Sequence, residues 1–441
     1  LQVRFGTDGL RGKANSELTP ELMVRLGRAI VDELGAGAYV IGRDTRLSGP
    51  MLVGALAAGI SAQGGRVVDL GVLPTAAVSF AARRLGVPGV VVSASHNHFQ
   101  DNGVKIFDRD GSKLARRLEA AIEARLEAGP EPHVGDLGPI ERRDDLLDEY
   151  VDFLLHTLQG RSLQGLAVVL DCANGAASAV GPRVFEAAGA QVEAIASEPD
   201  GTNINAACGS TAPDKLARRV RETGADMGLA FDGDADRVVA LDHRGDMVDG
   251  DQMLVLFARD LLGRGMLKGG AVVVTIMANL GLRHSMAELG VRVVETPVGD
   301  RNVAEAMRRE GLVLGGEQSG HIVFGDIAMT GDGLLTGLLL ADLVVRSGVS
   351  LADLAGSAMQ KYPQLLANVR VASPSQLDGA SAVWEAVEEQ KKALGPDGRI
   401  LVRASGTEPV VRVMVEAFDP HRAESCLAKL VAVVEEVLGR S

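Results

Sequence analysis

The chain is poor in several residue types, and each shortage excludes something. Among its 441 residues are three cysteines, Cys172, Cys208 and Cys426, far apart and in no C-x-x-C pair, which argues against a disulfide framework or a zinc knuckle. One tryptophan, three tyrosines and ten phenylalanines are too few for base-stacking platforms. Positive charge is in deficit: 45 Lys and Arg against 58 Asp and Glu give a formal net charge of -13, which opposes sequence-independent attraction to nucleic acid. An anionic small substrate therefore needs a local basic pocket. No apolar run reaches the roughly 18 residues of a membrane span; the longest, "GLLTGLLLADLVV", is broken by Gly and Asp, so no membrane partner is expected. The chain enters "LQVRFGTDGLRG" without a signal-peptide pattern, which makes the cytoplasm the expected location. No G-x-x-x-x-G-K-[ST] loop is present to hold phosphate.

What is present is an alternation. "AYVIGRDTR", "RVVDLGV" and "GVVVSAS" read as strands separated by helical stretches from about Pro50 and from Thr75, the rhythm of βαβ units and a largely parallel sheet. The rhythm restarts at "LAVVLDCANG" and at "AVVVTIMANLG". From about Tyr362 the order changes to α+β: "LLANVRVA", a helix through Trp384, "RILVRASG", "PVVRVMVEAF" and a terminal helix after Pro420. The expectation is three similar mixed-sheet α/β domains, 1–160, 161–264 and 265–360, and a smaller α+β domain, 361–441.

Four motifs carry chemistry. In "MGLAFDGDADRVV" an apolar strand, Met227 to Phe231, runs into Asp232, Asp234 and Asp236, whose alternate spacing crowds three carboxylates together. Such crowding needs a cation or protons to compensate, and oxygen-only ligands suit Mg²⁺. A calcium loop fails, because its sixth and twelfth positions hold Arg237 and His243 instead of Gly and Glu. A phosphatase with Asp232 as nucleophile also begins as strand then Asp-x-Asp and stays a competitor. In "RASGTEPVVR", Arg403 and Arg412 bracket Ser405, Gly406 and Thr407, a phosphate cradle, with an ordinary polar hairpin as the alternative. In "GGEQSGH", Glu317 and Ser319 alternate and so can face one side to bind vicinal sugar hydroxyls, while His321 serves as acid or base or caps a turn. In "VVVSASHNHFQDNGVK" a strand ends in two serines without the G-x-S-x-G elbow of a hydrolase. "FGTDGLRG" presents Arg11 on a Gly-rich turn, and "IGRDTRLSGP" reads as a strand end followed by a helix with Ser48 near its N-cap.

Taken in order, "FGTDGLRG", "SASHN" with "DNGVK", "NIN" to "CGST", "DGDADR", "VGDR", "GGEQSGH", "TGDG" and "RASGTEP" resemble the α-D-phosphohexomutase superfamily, most closely its bacterial phosphoglucosamine mutase branch. The resemblance spans nearly the whole chain. It implies four domains around a central cleft, Ser95 as a phosphoserine, and one Mg²⁺ per subunit on Asp232, Asp234, Asp236 and the Ser95 oxygen. It further implies a sugar 1,6-bisphosphate as intermediate and activator, and Arg11, His96, Lys105, Arg237 and His321 around the reacting phosphate. Lys105 and His321 become the candidates for proton transfer. Asp300 and Arg301 of "VGDR", with Glu317 and Ser319, are expected on the sugar, and the Arg403 to Arg412 cradle on the phosphate that is not reacting. The implied activity interconverts glucosamine 6-phosphate and glucosamine 1-phosphate for UDP-N-acetylglucosamine and peptidoglycan precursors; a phosphoglucomutase or phosphomannomutase of the same fold is the alternative. A homodimer and activation of Ser95 by a kinase or by autophosphorylation are also implied. Two positions depart from the pattern: His98 stands where many relatives have Pro, and Ala235 where Gly is common.

Overall fold

A computed structural model describes residues 4–6, 8–129, 135–405 and 409–439, which fall into two compact units. The first, Leu1–Met277 with Gly290–Ala358, contains three sheets. Its first sheet has seven strands in the order Phe5–Gly6, Gly9–Lys13, Asp101–Phe107, Gly89–Val92, Ala38–Arg43, Arg66–Val72 and Ile140–Arg142. Val90, Val91 and Val92 are buried on both faces of the central strand, the hydrophobic run expected of a sheet covered by helices on either side. Helices Pro20–Leu34, Gly49–Ala62, Thr75–Leu85 and Arg116–Ala128 accompany the strands.

The sheets are mixed, as expected. Gly89–Val92 pairs parallel with Ala38–Arg43, yet its other neighbour, Asp101–Phe107, returns antiparallel through the eight-residue turn that carries Ser95. A chain that reverses within so few residues has no room for the crossover helix a parallel neighbour requires. Ser48 occupies the N-cap of Gly49–Ala62 without capping it: its backbone is helical, and its hydroxyl accepts instead from Asn102 Nδ2 at 2.8 Å.

The second sheet runs Met247–Val248, Val238–Asp242, Met227–Phe231, Ala167–Asp171, Gln191–Ile195, and the third Arg292–Thr296, Ala271–Thr275, Leu314–Gly316, Ile322–Phe324. In both, the strand carrying the chemistry is central or next to centre, and the loops after Met227–Phe231 and Leu314–Gly316 lie at strand carboxyl ends, where open α/β sheets place ligand groups. Among the described residues no single helix is long and apolar enough to cross a membrane.

The second unit, Ala278–Leu289 with Met359–Ser441, has a three-stranded antiparallel sheet, Gln364–Arg370, Val410–Ala417, Gly398–Ala404. Val411, Val413 and Val415 face a core closed by Val383 and Val387 of helix Ser381–Leu394 and Leu430 and Val434 of helix Pro420–Leu438.

Candidate active site

The two serines after Gly89–Val92 are not equivalent. Ser93 Oγ donates to Asp44 Oδ2 at 2.6 Å and accepts from the Ser95 amide at 2.9 Å, so it is spent on structure. Ser95 is fully buried, and its Oγ donates to Asp232 Oδ2. Its φ of 52° lies in the left-handed region, which costs a non-glycine residue about 1–2 kcal/mol and is typical of functional sites. The hydroxyl faces the carboxylates of the acidic loop.

Asp232, Asp234 and Asp236 offer oxygens that all lie within 4.8 Å of one another, every one buried. Asp234 Oδ2 accepts from Thr75 Oγ1 at 2.7 Å and from Lys105 Nζ at 2.9 Å, and Asp236 Oδ2 accepts from Lys105 Nζ at 2.8 Å. The remaining oxygens, Oδ1 of Asp234 and of Asp236, are buried with no hydrogen-bond partner. Burial, reinforced by its two acidic neighbours, pushes Asp232 well above the usual carboxylate range. Asp236 moves the other way: burial opposes ionisation, but Lys105, His321 and Arg237 outweigh it. Lys105 is fully surrounded, and although burial disfavours its charge, Asp234, Asp236 and Asp8 hold its pKa well above normal. Unpartnered carboxylate oxygens beside a buried ammonium are the donor set of a hard cation.

Around this group the charges continue. Asp8 Oδ1 meets Lys113 Nζ at 2.7 Å and Lys105 Nζ at 3.4 Å, and Asp8 Oδ2 pairs with Arg11, whose Nη1 donates to Asn97 Oδ1 at 3.3 Å. Lys113 also pairs with Asp300, and Asp300 Oδ2 lies 3.5 Å from His321 Nε2. Arg237 Nε lies 3.7 Å from Asp236 Oδ1. His96 Nδ1 stands 3.4 Å from Ser95 Oγ, and burial together with Arg237 and Arg11 pushes the imidazole down to about 4, which leaves it neutral near pH 7. His321 is buried with Nδ1 unpartnered, and its ring is walled by Gly331, where a Cβ would stand 2.3 Å from Nε2. The first glycine of "TGDG" is thus a packing requirement of this histidine.

Four matches to the phosphoglucomutase/phosphomannomutase family cover the chain: domain I over residues 2–133, domain II over 148–245, domain III over 249–362 and the C-terminal domain over 366–433. A phosphoglucosamine mutase of Desulforamulus reducens is 48% identical over 445 residues, covering 98% of this chain and 99% of that protein. The chain belongs to the phosphoglucosamine mutase family. Another such mutase, from Rubrobacter xylanophilus, is 49% identical over 440 residues, covering 98% of this chain and 97% of the relative. A crystal structure of a phosphoglucomutase/phosphomannomutase family protein from Burkholderia thailandensis superposes with a TM-score of 0.82 at 28% identity, covering 97% and 96% of the two chains. The mutase family acts on small phosphosugars, and this member has mixed-sheet α/β domains with a small C-terminal one.

In this mutase the sequence-expected residues Ser95, His96, Arg11, Lys105, Asp232, Asp234, Asp236, Arg237, Asp300 and His321 are connected through the contacts above. Two groups stand differently from what their local spacing suggests. Arg301 is turned away: Nη1 donates to the Leu114 carbonyl at 3.0 Å and Nη2 to Glu119, because one step along helix Asp300–Glu310 rotates a side chain by about 100° from Asp300. Glu317 and Ser319 do not share a face. Glu317 is buried and accepts from the Gly299 amide at 3.1 Å, whereas Ser319 is exposed, since residues 317–320 close a turn instead of continuing the strand. In the second unit Arg403 and Arg412 are direct partners across the antiparallel ladder, and Ser405 is buried; Gly406 and Thr407 lie outside the described residues. Burial and, after it, the neighbouring Arg412 lower the Arg403 pKa. Asp8, Thr75 and Lys113 were missed by sequence reasoning. Asp8 lay inside "FGTDGLRG", a usable signal, but Lys113 stands in no motif and arrives by the Phe107–Lys113 bridge.

Proposed function

We propose that the chain interconverts glucosamine 6-phosphate and glucosamine 1-phosphate by carrying a phosphoryl group on Ser95. The carrying observation is the seat of that serine: a fully buried hydroxyl at φ 52° that donates to one of three crowded carboxylates. A phosphoryl group there adds about two negative charges to three carboxylates that the single Lys105 ammonium only partly offsets, which calls for a further cation among them. The residues fit Mg²⁺, because every donor is oxygen and Oδ1 of Asp234 and of Asp236 are buried without hydrogen-bond partners. Asp232, Asp234, Asp236 and an oxygen on Ser95 would hold it, one ion per subunit. When bound, the ion supplies neutralisation of the phosphoryl charge, the main requirement of such transfers.

The rest falls to side chains. A sugar hydroxyl attacks the phosphorus, the P–Oγ bond to Ser95 breaks and a P–O bond to the sugar forms, leaving a sugar 1,6-bisphosphate that turns over and returns its other phosphate to Ser95. Lys105, kept as an ammonium by Asp8, Asp234 and Asp236, gives a proton to Oγ as it departs. His321, beside Asp300, takes the proton of the sugar hydroxyl, and the roles reverse on return. Arg11, His96 and Arg237 surround the reacting phosphate, Glu317 and Ser319, carried on a turn instead of one strand face, bind sugar hydroxyls, and Arg403, Ser405, Gly406, Thr407 and Arg412 bind phosphate, the two arginines bracketing two hydroxyls and a glycine.

The test is phosphorus NMR of the protein with Mg²⁺, a trace of sugar bisphosphate and, separately, glucosamine, glucose and mannose 6-phosphates. Glucosamine 1-phosphate as the fastest product is expected, and Ser95→Ala should abolish its formation. Faster turnover of glucose or mannose phosphate reassigns the substrate, and free phosphate alone overturns the mutase reading.

A further inference from the structure

"IGRDTRLSGP" and "NIN" have no part in the chemistry above, yet they converge on the serine loop. Arg46 is 1% exposed and spends all five of its N–H donors. Nε donates to Asp44 Oδ2 at 2.8 Å, Nη1 to the carbonyls of His98 and, at 3.0 Å, Asp101, and Nη2 to the carbonyls of Ser95 and Asn97, each at 2.8 Å. From the second sheet's side of the unit, Asn205 Nδ2 donates to the same two carbonyls, Ser95 at 2.9 Å and Asn97 at 3.0 Å. Ser95 is therefore gripped at both ends of its backbone: its carbonyl by Arg46 and Asn205, its amide by Ser93, which Asp44 holds in turn. The neighbouring residues tie the same segment to the second sheet's loops, Thr45 Oγ1 donating to the Asn174 carbonyl at 2.6 Å and the Leu47 amide to the Gly201 carbonyl at 2.8 Å. Gly233, inside the acidic loop, lets that loop approach, since a Cβ there would stand 2.6 Å from the Ser95 carbonyl oxygen.

We propose that Arg46 and Asn205 are positioning residues for phosphoryl transfer, a two-sided clamp on the loop carbonyls that keeps Ser95 in its left-handed conformation and aimed at the carboxylates in both half-reactions. The proposal rests on the reading of Ser95 as the phosphoryl carrier. A left-handed serine relaxes unless its surroundings over-determine it, and here two donors from different parts of the unit share each of two carbonyls. Neither side chain needs to touch the sugar, so the clamp sets the rate of transfer and leaves binding alone. Lysine at position 46 cannot replace it, since three donors on one nitrogen cannot span four carbonyls and a carboxylate.

The experiment compares wild type, Ser95→Ala, Arg46→Lys, Arg46→Ala and Asn205→Ala in steady state and in a single turnover from pre-phosphorylated enzyme. Arg46→Lys should lose about 10²-fold in kcat and in the single-turnover rate, and Asn205→Ala about tenfold, the scale of a misplacement near 1 Å, with KM within about threefold of wild type. Guanidinium ion should restore Arg46→Ala by about fivefold or more, and methylammonium should not. Should Arg46 variants fail to fold, Asn205→Ala decides, because removal of one carboxamide keeps the bond from the residue 205 amide to the Ala173 carbonyl. Turnover of Asn205→Ala and any folded Arg46→Lys within about threefold of wild type overturns the clamp, as does a loss carried by KM instead of kcat. Activity retained by Ser95→Ala would instead sink the reading of Ser95 itself.

Discussion

Replacing Lys105 by Met isolates what this ammonium does for the acidic group when no metal is bound. Its Nζ lies 2.9 Å from Asp234, 2.8 Å from Asp236 and 3.4 Å from Asp8, and it is 2% exposed. Met matches the length of the stem but leaves the carboxylates without their nearest cation, and breaking a buried ion pair from one side costs about 3–5 kcal/mol. At about 2–4 °C per kcal/mol for a large domain, the unfolding midpoint in EDTA should fall by roughly 10 °C. Two further signs follow from the same geometry. Protons can stand in for the lost ammonium, so the deficit should shrink as pH falls from 8 to 5, because carboxylates whose folded pKa is raised stabilise the fold below that pKa and lose the contribution above it. Mg²⁺ can also stand in, so the variant should gain more in midpoint on adding Mg²⁺ than wild type does and should bind the ion more tightly by calorimetry. A midpoint in EDTA within about 2 °C of wild type, or a smaller Mg²⁺ response than wild type, would refute the picture of Lys105 as the resident cation of the acidic group.

Other consequences are as open to measurement. Asp332 is buried, accepts from Tyr150 Oη at 2.8 Å and the Leu335 amide at 2.9 Å, and is pushed up to about 6 by burial. The folded protein thus holds this proton between about pH 4 and 6 while the unfolded chain does not, so wild type should lose stability relative to Asp332→Asn as pH rises through that window, read as the difference in midpoint. Gly331→Ala would press a methyl to 2.3 Å from His321 Nε2, so about 1–3 kcal/mol of stability and most of kcat should go together, and wild-type kinetics would mean the ring is not held there. His98 is exposed and lies in an irregular part of the serine loop, where its carbonyl accepts from the Asp101 amide at 3.1 Å. His98→Pro should therefore keep activity and add about 0.4–1 kcal/mol through the unfolded state, and a destabilised variant would show that the His98 backbone cannot take the proline φ.

The order of strands and helices is legible in the sequence because each element states its own period. "VVV" before "SAS", "MGLAF" before "DGDAD" and the hairpin of "RILVRASG" with "PVVRVMV" signal burial on both faces or alternation over a handful of residues, and the strands formed there are Gly89–Val92, Met227–Phe231, Gly398–Ala404 and Val410–Ala417. The carboxylate group is likewise local, three aspartates within five positions. What no local period contains is a partner far along the chain. Ser95 meets Asp232, Lys105 meets Asp234 and Asp236, and Arg301 meets Glu119, separations of 137, 129, 131 and 182 residues. Those choices arise when three sheets pack and one rotamer out of several finds its ligand, so the local pattern, without the resemblance, offers Ser93 and Ser95 as equals. Tertiary packing spent Ser93 on Asp44 and Arg301 on Glu119, and it brought Arg46 and Asn205 to the carbonyls of the serine loop. The physical reason is that hydrophobic pattern acts over neighbouring residues, whereas a buried polar group must be satisfied by whichever donor or acceptor the finished fold places within about 3 Å.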